Sequence, residues 1–293
     1  MNKAHSVSAR LLQISKARDE DFHFVLVRYG SERLLYRIGT HPLLRTFLLK
    51  GASLFLVWEG TWFRTTRDID LLGFGNPDME HVKQSFLELC SMDTSSTDGL
   101  IFDGESLTVG RIKEDQFYEG IRVRLACYLE KTRIPLQVDI GFGDAVTPKA
   151  NSVEYPCLLD APAPRLNAYP METVVSEKFL AIASLGMSNS RMKDYFDLAI
   201  LGRRFPLDAA MCAKAIRNTC QARRLEIPKT MPIGLTQTFS SAPDKKRQWN
   251  AFTSRSGLTF QVGDLASVVQ EVRTLLDPIL ELLFKEDPPN EPD

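Results

Sequence analysis

The sequence predicts an α+β protein: an N-terminal lobe with a mixed β-sheet flanked by helices, followed by an all-helical lobe. Three observations carry this. Apolar residues recur at helical spacing before residue 40, Arg122–Leu129 and Ile134–Ile140 alternate with a period of two, and from Glu172 onward only helical periodicities remain. Residues 8–40 read as helical, with Phe22, Val25, Leu26 and Tyr29 on one face, and Thr40-His41-Pro42 ends the run because a residue preceding proline disfavours the helical region. The short run Phe47-Leu48-Leu49 stops at Gly51, and Leu54–Trp58 follows as a buried helical turn or two. Asp68–Phe74 reads as a strand closed by Gly75-Asn76-Pro77, and residues 78–91 read as a helix. Arg122–Leu129 and Ile134–Ile140 both alternate and pair as an antiparallel hairpin turned at Glu130–Arg133. From Gly143 to Pro170 the chain is loop-like, with Pro148, Pro156, Pro162 and Pro164, and the domain boundary is set there. The final helix, 264–284, carries Val268, Val272, Leu275, Ile279 and Leu283 on one face and Pro278 as a kink. The expected domains are 1–165, 166–284 and an acidic, proline-rich, disordered tail at 285–293.

Composition narrows the functional class. The 293 residues suit about two domains of roughly 150 residues each. Hydrophobic residues make up 44% and charged residues 25%, which excludes a disordered, collagenous or rod-like chain. Five cysteines without a CxxC, and four histidines that all precede residue 82, support neither a disulfide framework nor a zinc site. The apolar run Leu54–Trp58 is far short of the ~20 residues of a membrane span. The N-terminus is charged and has no apolar stretch of the secretory kind, so a cytoplasmic protein with no membrane partner is expected. The net charge is -1, yet residues 178–250 hold thirteen Lys/Arg against five Asp/Glu. That excess is either a solvated helical face or a surface for nucleic acid, to which Arg191, Arg203, Arg204, Arg217, Arg223 and Arg224 would contribute phosphate contacts.

The chemistry centres on residues 51–72. Asp68 and Asp70 are two apart on a strand, so their carboxylates share a face. Such a pair is either a solvated edge or a holder for a hard cation such as Mg²⁺. Gly51-Ala52-Ser53 precedes a helix, and small residues there let backbone N–H groups approach a phosphate. Asp139 is a carboxylate on the polar side of an otherwise apolar strand, a third metal-site candidate or a plain edge residue. Asp144, in the turn that follows, reads as an Asx-turn residue. Lys178 lies beside an apolar helix face, suited to a triphosphate as a point charge or to snorkelling into solvent. Asp194 and Asp197 share a helix face, and Lys193 stands four residues before Asp197, a site cluster or an ordinary helix ion pair.

Taken in order, these pieces resemble the AbiEii/AbiGii-type (MenT-like) nucleotidyltransferase toxins, a branch of the DNA polymerase beta-like nucleotidyltransferase superfamily. The matching segments are Arg33-Leu34-Leu35-Tyr36-Arg37-Ile38, Leu49-Lys50-Gly51-Ala52-Ser53, and Arg64, Thr66, Asp68, Asp70 and Leu71. Further on they are Val138 to Asp144, Ser176-Glu177-Lys178, and Arg191 to Asp197. Ser53 stands where many relatives carry Thr or Met. The resemblance spans about residues 20–284 and implies an N-terminal catalytic lobe that holds Mg²⁺ on Asp68, Asp70 and Asp139, with Asp139 also a candidate general base. It implies that Gly51 and Ser53 cradle the β- and γ-phosphates of an NTP and that Arg64, Lys178, Lys193 and Asp197 belong to the nucleotide site. Lys178 and Asp194 count among the catalytic residues. Such enzymes transfer a nucleoside monophosphate to an acceptor, the tRNA 3′ end in characterised relatives, beside a cognate antitoxin and often in phage defence by abortive infection. Two other readings stand against this one: transfer to a small molecule or a protein, and a catalytically retired binding module.

Overall fold

The computed structural model describes residues 3–64, 66, 68–75, 77–114 and 118–285. The acidic tail expected at 285–293 lies, beyond Lys285, outside the described residues. The chain folds as two compact units. One holds the described residues of 1–62, 66–143 and 151–168; the other holds those of 63–65, 144–150 and 169–293.

The first unit opens with two helices where one was expected, α1 (Lys3–Arg18) and α2 (Phe22–Thr40). The break is made by Asp19 at φ 52 and by Asp21, whose carboxylate accepts the Phe24 N–H at 2.9 Å as an N-cap. The helical period continues across a short interruption, so periodicity alone misses it. His41 caps the far end, as the Thr40-His41-Pro42 break predicts. Then come β1 (Leu48–Lys50), α3 (Ser53–Glu59), β2 (Asp68–Gly73), α4 (Met79–Ser91) and α5 (Ser95–Asp98). The strands β3 (Leu100–Glu114), β4 (Tyr118–Leu129) and β5 (Thr132–Phe142) follow, and β6 (Asn151–Glu154) and β7 (Arg165–Ala168) complete the unit.

The seven strands form one sheet in the order β3-β4-β5-β2-β1-β7-β6. It is mixed: β2 runs parallel to β5 and β1 parallel to β7, and the other pairs are antiparallel. The β4–β5 hairpin turns at Glu130, with φ 54, and Lys131, so Leu129 faces Thr132. Three strands escape the sequence reading. The alternation of β3 is interrupted by a register shift between Asp103 and Thr108. The strands β6 and β7 are four residues each among prolines, too short to show a period, and they correct the loop expected over 143–170.

One face of the hairpin is apolar and carries Val123, Leu125, Cys127, Ile134, Leu136, Val138 and Ile140, all at most 3% exposed. Helix α2 covers it at Gly30, where an added Cβ would lie 3.2 Å from Cys127, Ile134 and Leu136. Because side chains alternate, the residues between them (Arg122, Arg124, Gln137 and Asp139) share the opposite face. The arginines of the Arg33–Ile38 segment are structural. Arg33 donates to the Pro162 carbonyl (2.9 Å) and Cys157 Sγ (3.2 Å), while Arg37 donates to Asp98 (2.9 Å) and Thr94 and lies over the Phe102 ring.

The second unit is helical among the described residues, as the sequence predicts: α6 (Met171–Leu185), α7 (Met192–Arg204), α8 (Ala209–Arg223), α9 (Gln237–Ser241), α10 (Pro243–Arg255) and α11 (Leu265–Lys285). Helix α6 packs on α8, and α11 packs on both α7 and α8. Val268, Val272, Ile279 and Leu283 are buried on α11 as expected, and Pro278 lies inside it. Tyr195 stacks on Phe239 at 5.3 Å within the core.

Candidate active site

Asp68 and Asp70 lie on β2 two residues apart and therefore on one face, Asp68 exposed and Asp70 half-buried. Strand register extends this pair across the sheet. Asp70 is opposite Lys50 on β1 and Asp139 on β5, and Asp139 is opposite Arg122 on β4. One lateral row thus reads Arg122, Asp139, Asp70, Lys50. The next reads Arg124, Gln137, Asp68. Adjacent like charges in a sheet repel, and the two flanking cations offset the repulsion between the two central carboxylates. Arg122 holds Asp139 in a fork, Nε to Oδ1 at 2.7 Å and Nη2 to Oδ2 at 2.6 Å, and Gln137 Nε2 reaches Oδ2 at 3.4 Å. The hydrogen bond to Asp139 is the largest of the influences that raise the Arg122 pKa further.

Gly51 closes β1 with φ +75, and an added Cβ would stand 2.0 Å from Asp70 Oδ2. Only a residue without a side chain leaves that space to the Asp70 carboxylate. Ser53, the first residue of α3, is 4% exposed and faces the Tyr155 phenol, whose pKa is pushed up first by burial and then by Glu32.

Asp68 and Asp70, hard carboxylates on one face, are the residues that could hold a divalent cation such as Mg²⁺. Among the described residues no group of three or more His, Cys, Asp or Glu is placed to hold a metal ion. Asp139, the expected third carboxylate, stands beside Asp70 in register and has both oxygens on Arg122.

The second unit gathers another set of the expected residues. Lys178 Nζ donates to Asp194 Oδ1 at 2.8 Å and to Asp197 Oδ2 at 2.7 Å. Arg64 forks onto Asp197 at 2.8 and 2.9 Å, and Arg191 Nε reaches Asp194 at 2.7 Å. Both carboxylates are 1% exposed and Lys178 13%. Burial pushes Asp197 toward its neutral form, but Arg64 and then Lys178 outweigh it and hold the carboxyl well below the usual range. Asp194 is likewise held low by Lys178 and then Arg191 against burial. Lys178 is therefore neither a snorkelling surface lysine nor an isolated charge. Lys193, four residues before Asp197, is exposed and acts on Asp194 through its charge.

Asp144, read from sequence as an Asx-turn residue, also takes a long-range partner: its Oδ1 accepts from Arg223 Nε at 3.0 Å and Nη2 at 2.7 Å, with both side chains buried. Several arginines expected on a phosphate-binding face are engaged within the unit instead, Arg191 with Asp194, Arg203 with Glu271, Arg217 with the Leu282 carbonyl and Arg223 with Asp144. Arg122 and Lys50 were not singled out from sequence as site residues. The signal for Arg122 was present, since counting back along both strands from the Glu130–Lys131 turn sets it opposite Asp139.

The family model described as nucleotidyl transferase AbiEii toxin of type IV toxin–antitoxin systems matches residues 33–277. The chain belongs to this family of nucleotidyltransferase toxins, as its motifs predict. No curated protein matches. Solved structures similar to it include JHP933 from Helicobacter pylori, 16% identical over 87% of this chain and 90% of that one, with a TM-score of 0.47. A candidate nucleotidyltransferase from H. pylori is also 16% identical, over 88% and 95%, with a TM-score of 0.46. Among the described residues no helix is long and apolar enough to cross a membrane.

Proposed function

We propose that the chain is a Mg²⁺-dependent enzyme that transfers a nucleoside monophosphate from an NTP to the 3′ end of an RNA, tRNA foremost. It acts in the cytoplasm as the toxin of an abortive-infection pair, beside a cognate antitoxin and in defence against phage. The observation that carries the reading is the row Arg122, Asp139, Asp70, Lys50 with Gly51 set against Asp70. In the reaction the acceptor 3′-hydroxyl oxygen bonds to the α-phosphorus, the bond from that phosphorus to the αβ-bridging oxygen breaks, and pyrophosphate leaves with the bonding electrons. When bound, Mg²⁺ supplies charge neutralisation on the phosphates and polarises the attacked centre. Asp68 and Asp70 would hold it, while the turn at Gly51 and Ser53 would receive the β- and γ-phosphates. Arg122 positions Asp139, which takes the hydroxyl proton. In the helical unit, Lys178, Arg64 and exposed Lys193 are assigned to the nucleotide as cations suited to a polyphosphate.

The test is incubation with each labelled NTP, Mg²⁺ and total cellular RNA. Label on the tRNA fraction with wild type, and none with Asp70→Ala, is the expected result. Asp70-dependent label on a small metabolite or on protein, with tRNA unlabelled, would remove the RNA acceptor and keep the nucleotidyltransferase. That second reading has one observation in its favour, the internal engagement of Arg191, Arg203, Arg217 and Arg223, which leaves fewer arginines for a phosphate backbone.

A further inference from the structure

A cavity of about 520 Å³ opens next to Asp68 of the carboxylate pair, between the start of α2 (His23 and Val27) and strands β3, β4 and β5, whose apolar Leu125 and Leu136 line it as well. Asp68 forms one wall. The rest of its polar lining includes His23 from the start of α2, Thr108 from β3, Arg124 from β4, and Gln137 and Arg133 from β5. Arg124 and Arg133 are exposed, and among the described residues neither is paired with a carboxylate. Arg124 Nε donates to Gln137 Oε1 at 3.1 Å, which aims the guanidinium along the row that ends at Asp68. Arg133 lies four residues from Gln137 along β5, about 13 Å at a rise of roughly 3.3 Å per residue. The trough therefore runs from the carboxylates past two unneutralised cations.

Its position relative to the phosphate turn decides what it takes. In the sheet order the turn at Gly51 follows β1, on one side of β2, and the trough covers β5, β4 and β3, on the other. Phosphoryl transfer sets the attacking and leaving oxygens roughly in line through phosphorus. If pyrophosphate leaves over Gly51 and Ser53, the attacking hydroxyl enters from the trough. We propose that this trough is the acceptor subsite and holds the 3′-terminal segment of a single-stranded RNA, with Arg124 and Arg133 on its phosphates and the hydroxyl end at Asp68. The proposal rests on the RNA-acceptor reading above.

The experiment uses the full chain, tRNA and a short single-stranded RNA with a free 3′-hydroxyl. Transfer is measured against RNA and against NTP concentration, and RNA binding against salt. The variant is Arg124→Glu with Arg133→Glu; Arg124→Gln with Arg133→Gln is run alongside, and thermal unfolding reports the fold of each. The charge reversal is expected to raise the RNA half-saturation concentration at least tenfold and leave that for NTP unchanged. Two lost phosphate contacts should reduce the log–log salt slope by about 1.4, at roughly 0.7 per phosphate for single strands. The neutral variant should fall between the two. RNA saturation and salt slope equal to wild type in both variants, or a shift in NTP half-saturation instead, overturns the trough while RNA labelling by wild type keeps the proposed function. Wild type that labels no RNA overturns both.

Discussion

Gly51 occupies a point where a methyl group would collide with the carboxylate of Asp70, 2.0 Å from Oδ2, on a backbone at φ +75. Two penalties add there, one of backbone conformation and one of displacement of a site residue. Gly51→Ala should therefore cost on the order of 1–3 kcal/mol in stability and remove most transfer, because Asp70 must move to admit the new Cβ. Urea unfolding and the labelled-NTP assay check the two effects separately. Wild-type transfer by this variant would show that the Asp70 position is not what the turn serves. Asp139 makes a related point at the same scale. Its partner Arg122, and not its own spacing to Asp70, sets where its carboxylate faces.

At the scale of elements, α6 and α7 are joined by buried charge. Lys178 on α6 bridges Asp194 and Asp197 on α7, and each of those carboxylates has a further arginine. Breaking a buried pair by removing one partner leaves uncompensated charge and typically costs about 3–5 kcal/mol. Lys178→Met leaves each carboxylate its arginine, so it should cost less than that in denaturant unfolding, about 1.5–3 kcal/mol for the lost charged hydrogen bonds, and a variant within about 0.5 kcal/mol of wild type would rule out a structural share for Lys178. The pH dependence has a definite sign. The folded pKa values of Asp194 and Asp197 lie below the unfolded value of about 3.9. Their contribution to stability is therefore fully present above that value and lost as pH falls through it toward the folded values. Unfolding midpoints should drop as pH falls from about 5 toward 2, and Asp197→Asn should show a shallower drop. An equally steep acid limb in that variant would assign the loss to other groups.

For the whole molecule, membership in a toxin family predicts a cellular effect that depends on the carboxylate pair. Induced expression of the wild-type chain should arrest growth, Asp70→Ala should relieve the arrest, and coexpression of a cognate antitoxin should restore growth beside the wild type. Arrest that persists with Asp70→Ala at equal protein level would separate toxicity from transfer.

The fold class, the helical second half, the hairpin and the nucleotidyltransferase motifs were all legible in the sequence. Each of these rests on local signals: a period of two or of 3.6, a turn, a spacing of two residues that puts Asp68 and Asp70 on one face. The break at Asp19–Asp21, the bulged β3, and β6 and β7 were not, because a cap, a register shift and a four-residue strand leave no period to detect. The long-range electrostatic partners, Arg122 for Asp139 apart, were a matter for tertiary structure. The partner of Asp144, Arg223, stands 79 residues on. Arg64 meets Asp197 across a separation of 133 residues. Which lysine or arginine neutralises which carboxylate depends on strand order and helix packing, and those follow from burying apolar faces far from the charges themselves.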